Sequence, residues 1–171
     1  DTERIAKVAH KAGIPLIVDN TFATGVLCRP IDFGADIVVL STTKYMDGHA
    51  VQLGGCVIDS GNFDWTQNDK FQGLCTPDES YHGLTYTKAF GNMAYTTKLV
   101  AQLMRDLGVT PAPMNAFLLN LGLESLHVRM QRHCENGLAV AKFLKNQPNV
   151  EWVTYPGLEG DKYYELAKKY M

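Results

Sequence analysis

The chain is expected to adopt an α/β fold, and three observations predict it. Ile14-Pro15-Leu16-Ile17-Val18 is a short apolar run bounded by Gly13 and by Asp19-Asn20, the pattern of a strand buried on both faces. A second such run covers Asp36 to Leu40. Between them, residues 20 to 35 supply the roughly dozen residues that a crossover between parallel strands needs, so both strands are expected to run the same way. In open parallel sheets ligands gather beyond the carboxyl ends of the strands, which is where Asp19 and the segment Ser41 to Lys44 fall.

The remaining elements follow in chain order. Ile5, Val8, Ala9 and Ala12 recur at helical spacing almost from the first residue, as if the chain began inside a helix. After the two strands, Gly55 to Asp59 reads as a third, and Ser60-Gly61-Asn62 turns into an irregular stretch reaching about Tyr81. Trp65, Phe71 and Tyr81 indicate that this stretch packs rather than hangs free, as a loop of such length in a compact domain usually serves a function or is disordered. Residues 88 to 108 carry Phe90, Met93, Ala94, Thr97, Val100, Ala101, Met104 and Leu107 at spacings of three and four, a helical stripe ended by Gly108. Residues 113 to 146 hold a second helical pattern, with an interruption expected near Gly122. Asp161 is a candidate N-cap for a short final helix to Met171.

Composition narrows the class. Hydrophobic residues make up 46% and charged residues 20%, and 16 basic against 18 acidic side chains give a net charge of -2, the ordinary balance of a globular enzyme. The basic residues are interspersed with acids rather than gathered into a stripe, which argues against nucleic acid. No apolar stretch approaches the roughly 20 residues of a membrane span, and no charged-then-apolar leader opens the chain. Cys28, Cys56, Cys75 and Cys134 form no Cys-x-x-Cys pair and read as reduced core thiols. His127 and His133 stand six apart on a predicted helix, roughly 240° round its axis, so they cannot chelate one ion together. Surface or capping roles are expected for both. No Gly-x-Gly-x-x-Gly and no Gly-x-x-x-x-Gly-Lys-Ser/Thr occurs, which weakens a nucleotide-binding reading.

Chemistry concentrates at the two strand ends. Lys44 in Ser41-Thr42-Thr43-Lys44 offers an amine and Asp19 a carboxylate. Pyridoxal phosphate needs an amine for its aldehyde, a carboxylate to keep its ring nitrogen protonated and donors for its phosphate. Arg could not replace Lys44, because it stays protonated at any usable pH. Ser41 and Thr43 lie two apart, so on a strand-like path both hydroxyls would face one anion while Thr42 points elsewhere. Each residue has a plainer reading as well. A Lys after a strand is commonly a solvated charge, Asp-Asn is common turn chemistry, and Ser-Thr-Thr can simply end a strand.

Several strings in order carry a resemblance: Val18-Asp19-Asn20-Thr21-Phe22-Ala23-Thr24, Arg29-Pro30, Gly34-Ala35-Asp36-Ile37-Val38-Val39, Ser41-x-Thr43-Lys44, and Gly48-His49 before Gly54-Gly55. Together they resemble the cysteine and methionine metabolism family of pyridoxal phosphate enzymes, and the likeness covers nearly all 171 residues. A narrower likeness, to the O-acetylhomoserine sulfhydrylases, rests on Gly61 to Trp65, Tyr81-His82-Gly83-Leu84, Pro113 to Leu119, and Gly122 to Leu126 before Arg132-His133.

The resemblance implies an aspartate aminotransferase-like large domain, mostly parallel, over residues 1–120. Residues 121–171 would be a linking helix and the start of a smaller C-terminal domain. It implies Lys44 as catalytic residue and Asp19, Ser41, Thr43 and Lys44 as cofactor-binding residues, with no metal. It implies a cytoplasmic homo-oligomer that replaces the γ-leaving group of O-acetylhomoserine with sulfide or a thiol. A γ-lyase or cystathionine enzyme, or a catalytically silent fragment, are the other readings. The chain reads as a central fragment, without the family's upstream phosphate-binding amides and ring-stacking Tyr and its downstream carboxylate-gripping Arg. Gly25 stands where relatives often carry Pro, and Asn120 where Gln or Arg is usual.

Overall fold

A computed structural model describes all 171 residues. The first helix, α1 (Thr2–Lys11), is closed by Asp1, whose carboxylate accepts from the Arg4 amide at 3.2 Å. β1 (Ile17–Asp19) pairs in parallel with β2 (Ile37–Ser41), with Ile17 opposite Ile37 and Asp19 opposite Val39. β1 is shorter than the apolar run that predicts it. At Leu16 the amide turns to the Asp36 carboxylate (2.7 Å), and the Leu16 carbonyl accepts from the Asp36 and Ile37 amides. The buried Asp36 side chain thus begins the pairing, and His10 Nε2 lies 2.8 Å from the same oxygen.

Asn20 holds the chain after β1 by donating to the carbonyls of Thr24 and Cys28, both at 2.9 Å, around the single helical turn α2 (Thr24–Leu27). β3 (Gly55–Asp59) occupies the span the sequence predicts, and it runs antiparallel to β2, with Ser41 opposite Gly55. No helix lies in residues 42–54 to carry a crossover, so the chain doubles back. Thr42 N donates to Gly54 O at 3.0 Å, and Gln52 Nε2 donates to Thr42 O at 2.9 Å, which draws the two ends of this connection together.

The sheet order is β1-β2-β3, and β2 carries a core on each face. Ile37 packs with Phe63, Trp65, Leu74, Tyr86 and Ala94 on one side, and Val38 and Leu40 with Ala35 on the other, as strand alternation requires. The stretch after β3 packs as its aromatics predict. Trp65 stands edge-on to Phe63 at 4.9 Å and stacks on Tyr95 at 5.3 Å, with α3 (Gln72–Cys75) beside it.

The helix expected over 88–108 is interrupted. It begins at α4 (Tyr86–Phe90), breaks at Gly91 (φ 54°, ψ -123°), a conformation open to glycine, and resumes as α5 (Ala94–Lys98). A π-helical turn over Leu99–Met104 then leads into α6 (Arg105–Leu107). The second helical region is α7 (Pro113–Glu124) and α8 (Leu126–Lys145). Its interruption, expected near Gly122, falls three residues on at Ser125 (φ -102°, ψ 0°), and Gly122 itself is buried inside α7 against the Asp47 carbonyl. The last helix, α9 (Tyr164–Tyr170), starts later than Asp161 predicts. Asp161 accepts instead from the Tyr155 and Tyr163 amides, an Asx turn ahead of the helix. Tyr170 OH donates to Asp1 at 2.6 Å, joining α9 to α1. No helix is long and apolar enough to cross a membrane.

Candidate active site

Parallel register puts Asp19, Val39 and Ser41 on one face of the sheet, because paired residues share a side and residues two apart on a strand do too. Ser41 lies two residues beyond the partner of Asp19, so the two side chains are offset along the strands by about 7 Å. Thr21, buried just past β1, ties these ends together. Its amide donates to Asp19 Oδ1 at 2.9 Å, and its hydroxyl oxygen accepts from the Ser41 amide at 2.8 Å. The Thr21 hydroxyl and amide hold the exposed Asp19 carboxyl below its ordinary value, so it is anionic near neutrality. Sequence reasoning passed over Thr21, although Asp-x-Thr at a strand end carries the signal of an Asx turn.

Lys44 lies on the turn that follows β2, where its amide donates to Ser41 O at 3.3 Å and its carbonyl accepts from the Gly48 amide at 2.8 Å. Its side chain is exposed, and no carboxylate pairs with its amine. The turn takes Thr43 off the strand path. The Thr43 hydroxyl donates to Gly54 O (3.3 Å) and accepts from Gly54 N (3.0 Å), bracing the connection to β3.

Lys44 and Thr43 line an open cleft of about 830 Å³, between the β2–β3 connection and α8. Phe22, Tyr45 and His49 line it on the sheet side, and Arg129, Arg132 and His133 on α8. The lining includes no Asp or Glu, so the cleft carries positive charge and suits an anionic ligand. Tyr45 stands edge-on between Phe22 (5.9 Å) and His133 (5.1 Å). His133 is exposed, as its expected surface role requires, and also lines the cleft, while His127 is exposed about one and two-thirds turns away on α8. Asp19 and Ser41 do not line the cleft; they stand at the carboxyl ends of β1 and β2. Cys28, Cys56 and Cys75 are half-buried, and Cys134 is exposed, contrary to its expected place in the core. The aromatic chain and Arg129 left no local trace in the sequence, since each joins residues from distant elements.

The profile of the Cys/Met metabolism PLP-dependent enzymes matches residues 1–171. The homocysteine synthase of Schizosaccharomyces pombe is 51% identical over the whole chain, which covers 40% of that protein. The O-acetyl-L-homoserine sulfhydrylase of Leptospira meyeri is 46% identical, with 99% of the chain and 40% of that protein covered. Among solved structures, one described as an O-acetylhomoserine (thiol)-lyase from Campylobacter jejuni superposes with a TM-score of 0.94 at 39% identity. The match covers all of this chain and 42% of that one, which carries an N'-pyridoxyl-lysine-5'-monophosphate. The chain thus spans about 40% of the length of the curated relatives it matches.

Proposed function

We propose, for a chain that belongs to the family of Cys/Met metabolism PLP-dependent enzymes, that its full-length protein replaces the γ-leaving group of O-acetylhomoserine with sulfide or a thiol. The product is homocysteine or a methionine-like amino acid. The observation that carries this reading is the unpaired amine of Lys44 in a cleft free of acidic side chains, with a carboxylate held anionic at the end of the neighbouring strand. The donor set fits pyridoxal phosphate: one free amine, one carboxylate with an oxygen to spare, and a Ser41 hydroxyl with no protein partner. Thr43 fits less well as a phosphate donor, because Gly54 occupies its hydroxyl in both directions.

When bound, the cofactor supplies an electron sink that makes a carbanion at the substrate Cα accessible. Lys44 would hold the cofactor and, once released by substrate, would carry the proton at Cα and then at Cβ as a general base and acid. Asp19 would keep positive charge on the ring nitrogen. Ser41 would donate to the phosphate. On this reading residues 1–120 belong to the cofactor-binding domain, and residues 121–171 to a linking helix and a smaller domain. That boundary falls within α7, one residue short of its buried Gly122. The protein is a cytoplasmic homo-oligomer.

The test treats the full-length protein with pyridoxal phosphate, reduces it with borohydride and maps the modified peptide. Label confined to Lys44 is expected. Label scattered over many lysines, or none, refutes the reading. Turnover of O-acetylhomoserine with sulfide, set against turnover of methionine alone, then separates replacement from γ-elimination.

A further inference from the structure

Lys44 is carried by a turn whose main chain is gripped from α8. The Arg129 guanidinium donates to four oxygens: Ser125 Oγ from Nε (3.0 Å), Tyr45 O from Nη1 (2.8 Å), and Gly122 O (2.8 Å) and Met46 O (3.4 Å) from Nη2. Two of these are the carbonyls of the residues directly after Lys44. No carboxylate pairs with Arg129, so its charge is spent on main-chain dipoles. Four of its five N–H groups are engaged, which leaves it little to offer a ligand in the cleft it lines.

The surrounding residues are shaped to this grip. A Cβ at Gly48 would sit 2.6 Å from Arg129 Cζ, and Gly48 also takes φ +72°, so glycine there admits both the turn and the guanidinium. A Cβ at Gly122 would lie 2.8 Å from the Cα and carbonyl carbon of Asp47, and closer still to its oxygen. Glycine at 122 lets α7 press directly on the turn. From inside, the fully buried Asp47 accepts from the His49 amide at 3.1 Å and the Val51 amide at 3.3 Å. Arg129 is the member of this set that bonds the residues next to Lys44. A planar fork reaches several carbonyls at once, which a lysine ammonium on a flexible stem does not.

We propose that Arg129 is a positioning residue: it holds the Lys44 turn at the depth where the amine meets cofactor and substrate. The assignment rests on the cofactor reading of Lys44 given above. Misplacement of a reacting group by about 1 Å can cost on the order of 10²-fold in rate, and removing the fork would release the Tyr45 and Met46 carbonyls that Arg129 holds next to Lys44.

The experiment uses the full-length protein with Arg129→Lys and, as a milder variant that leaves the turn's own residues untouched, Ser125→Ala. In cofactor-free protein, amide hydrogen exchange over residues 47 to 51 is expected to quicken at least about tenfold in Arg129→Lys. With cofactor saturating, kcat is expected to fall about 10²-fold with KM within about twofold, and Ser125→Ala to fall between wild type and Arg129→Lys. Exchange and kcat both within twofold of wild type in both variants would overturn the proposal. So would a lowered Tm with kcat unchanged, the mark of a merely structural arginine. Should Arg129→Lys not fold, Ser125→Ala decides by the same two readouts. Absence of borohydride label at Lys44 in the wild type would overturn the cofactor reading and with it the catalytic role, whereas labelled Lys44 with unaltered exchange would overturn this proposal alone.

Discussion

Replacing Gly122 by alanine sets two effects of opposite sign against each other. Gly122 lies inside α7 with ordinary helical geometry, so alanine gains about 1 kcal/mol of helix propensity. Against this, the new methyl would overlap the Asp47 main chain, 2.8 Å from its Cα and carbonyl carbon, where ordinary contact begins well beyond 3 Å. Relief requires α7 or the turn to retreat by several tenths of an ångström. The turn is tied by Arg129 and by the Asp47 carboxylate, so it cannot yield freely. Overpacking of this kind costs about 1–3 kcal/mol, and a lost charge-assisted bond to Arg129 adds about 1.5 kcal/mol. The overlap wins, with a net loss of about 2 kcal/mol. Because the curated relatives are about 2.5 times as long as this chain, cooperative unfolding shifts by about 1 °C per kcal/mol, and Tm measured by scanning calorimetry on the full-length protein is expected to drop by roughly 2 °C. Gly25→Ala is the control, because Gly25 is also helical and nothing lies within 4 Å of its Cβ position. It is expected to leave Tm unchanged or raise it slightly. If Gly122→Ala were as stable as wild type, the close approach of α7 to the Lys44 turn would be refuted.

The two hydroxyls at the end of β2 are expected to separate in their effects. Ser41→Ala should weaken retention of pyridoxal phosphate, read as a raised dissociation constant, with little change in Tm. Thr43→Ala should lower stability by about 1–2 kcal/mol through its two bonds to Gly54, and an unchanged Tm would contradict that bracing role. Acid stability should depend on Asp78, whose carboxyl the Lys98 ammonium at 2.7 Å, aided by Ser80, depresses from 3.8 to about 2. Because the folded value is the lower one, this stabilisation is complete above the unfolded value and is lost as pH falls from 3.8 toward about 2. Lys98→Met is therefore expected to flatten the acid limb of a stability-against-pH curve in that window, and an unchanged limb would remove the pair from the account.

Much of the site was legible residue by residue. β3 occupies the span its apolar run predicts, and β1 and β2 run parallel as the length of their connection requires. Asp19 and Lys44 stand at the two strand ends, because a strand end and the turn after it are local events written in neighbouring residues. Other features depended on the fold. A period of three and four cannot show where a helix yields, and the stripe over 88–108 conceals the break at Gly91. The interruption expected near Gly122 comes three residues later at Ser125, and Gly122 itself serves close packing.

Sequence alone determined the α/β class, the strand-end positions of Asp19 and Lys44 and the family to which the chain belongs. Tertiary structure decided that β3 reverses direction, that Thr43 faces Gly54, that Tyr45 lies between Phe22 and His133, and that Arg129 grips the turn carrying Lys44. Arg129 and Tyr45 are 84 residues apart, and three of the four oxygens that Arg129 holds are main-chain carbonyls. Every residue has such a carbonyl, so no side-chain pattern along the chain could announce which ones the folded protein would bring within reach.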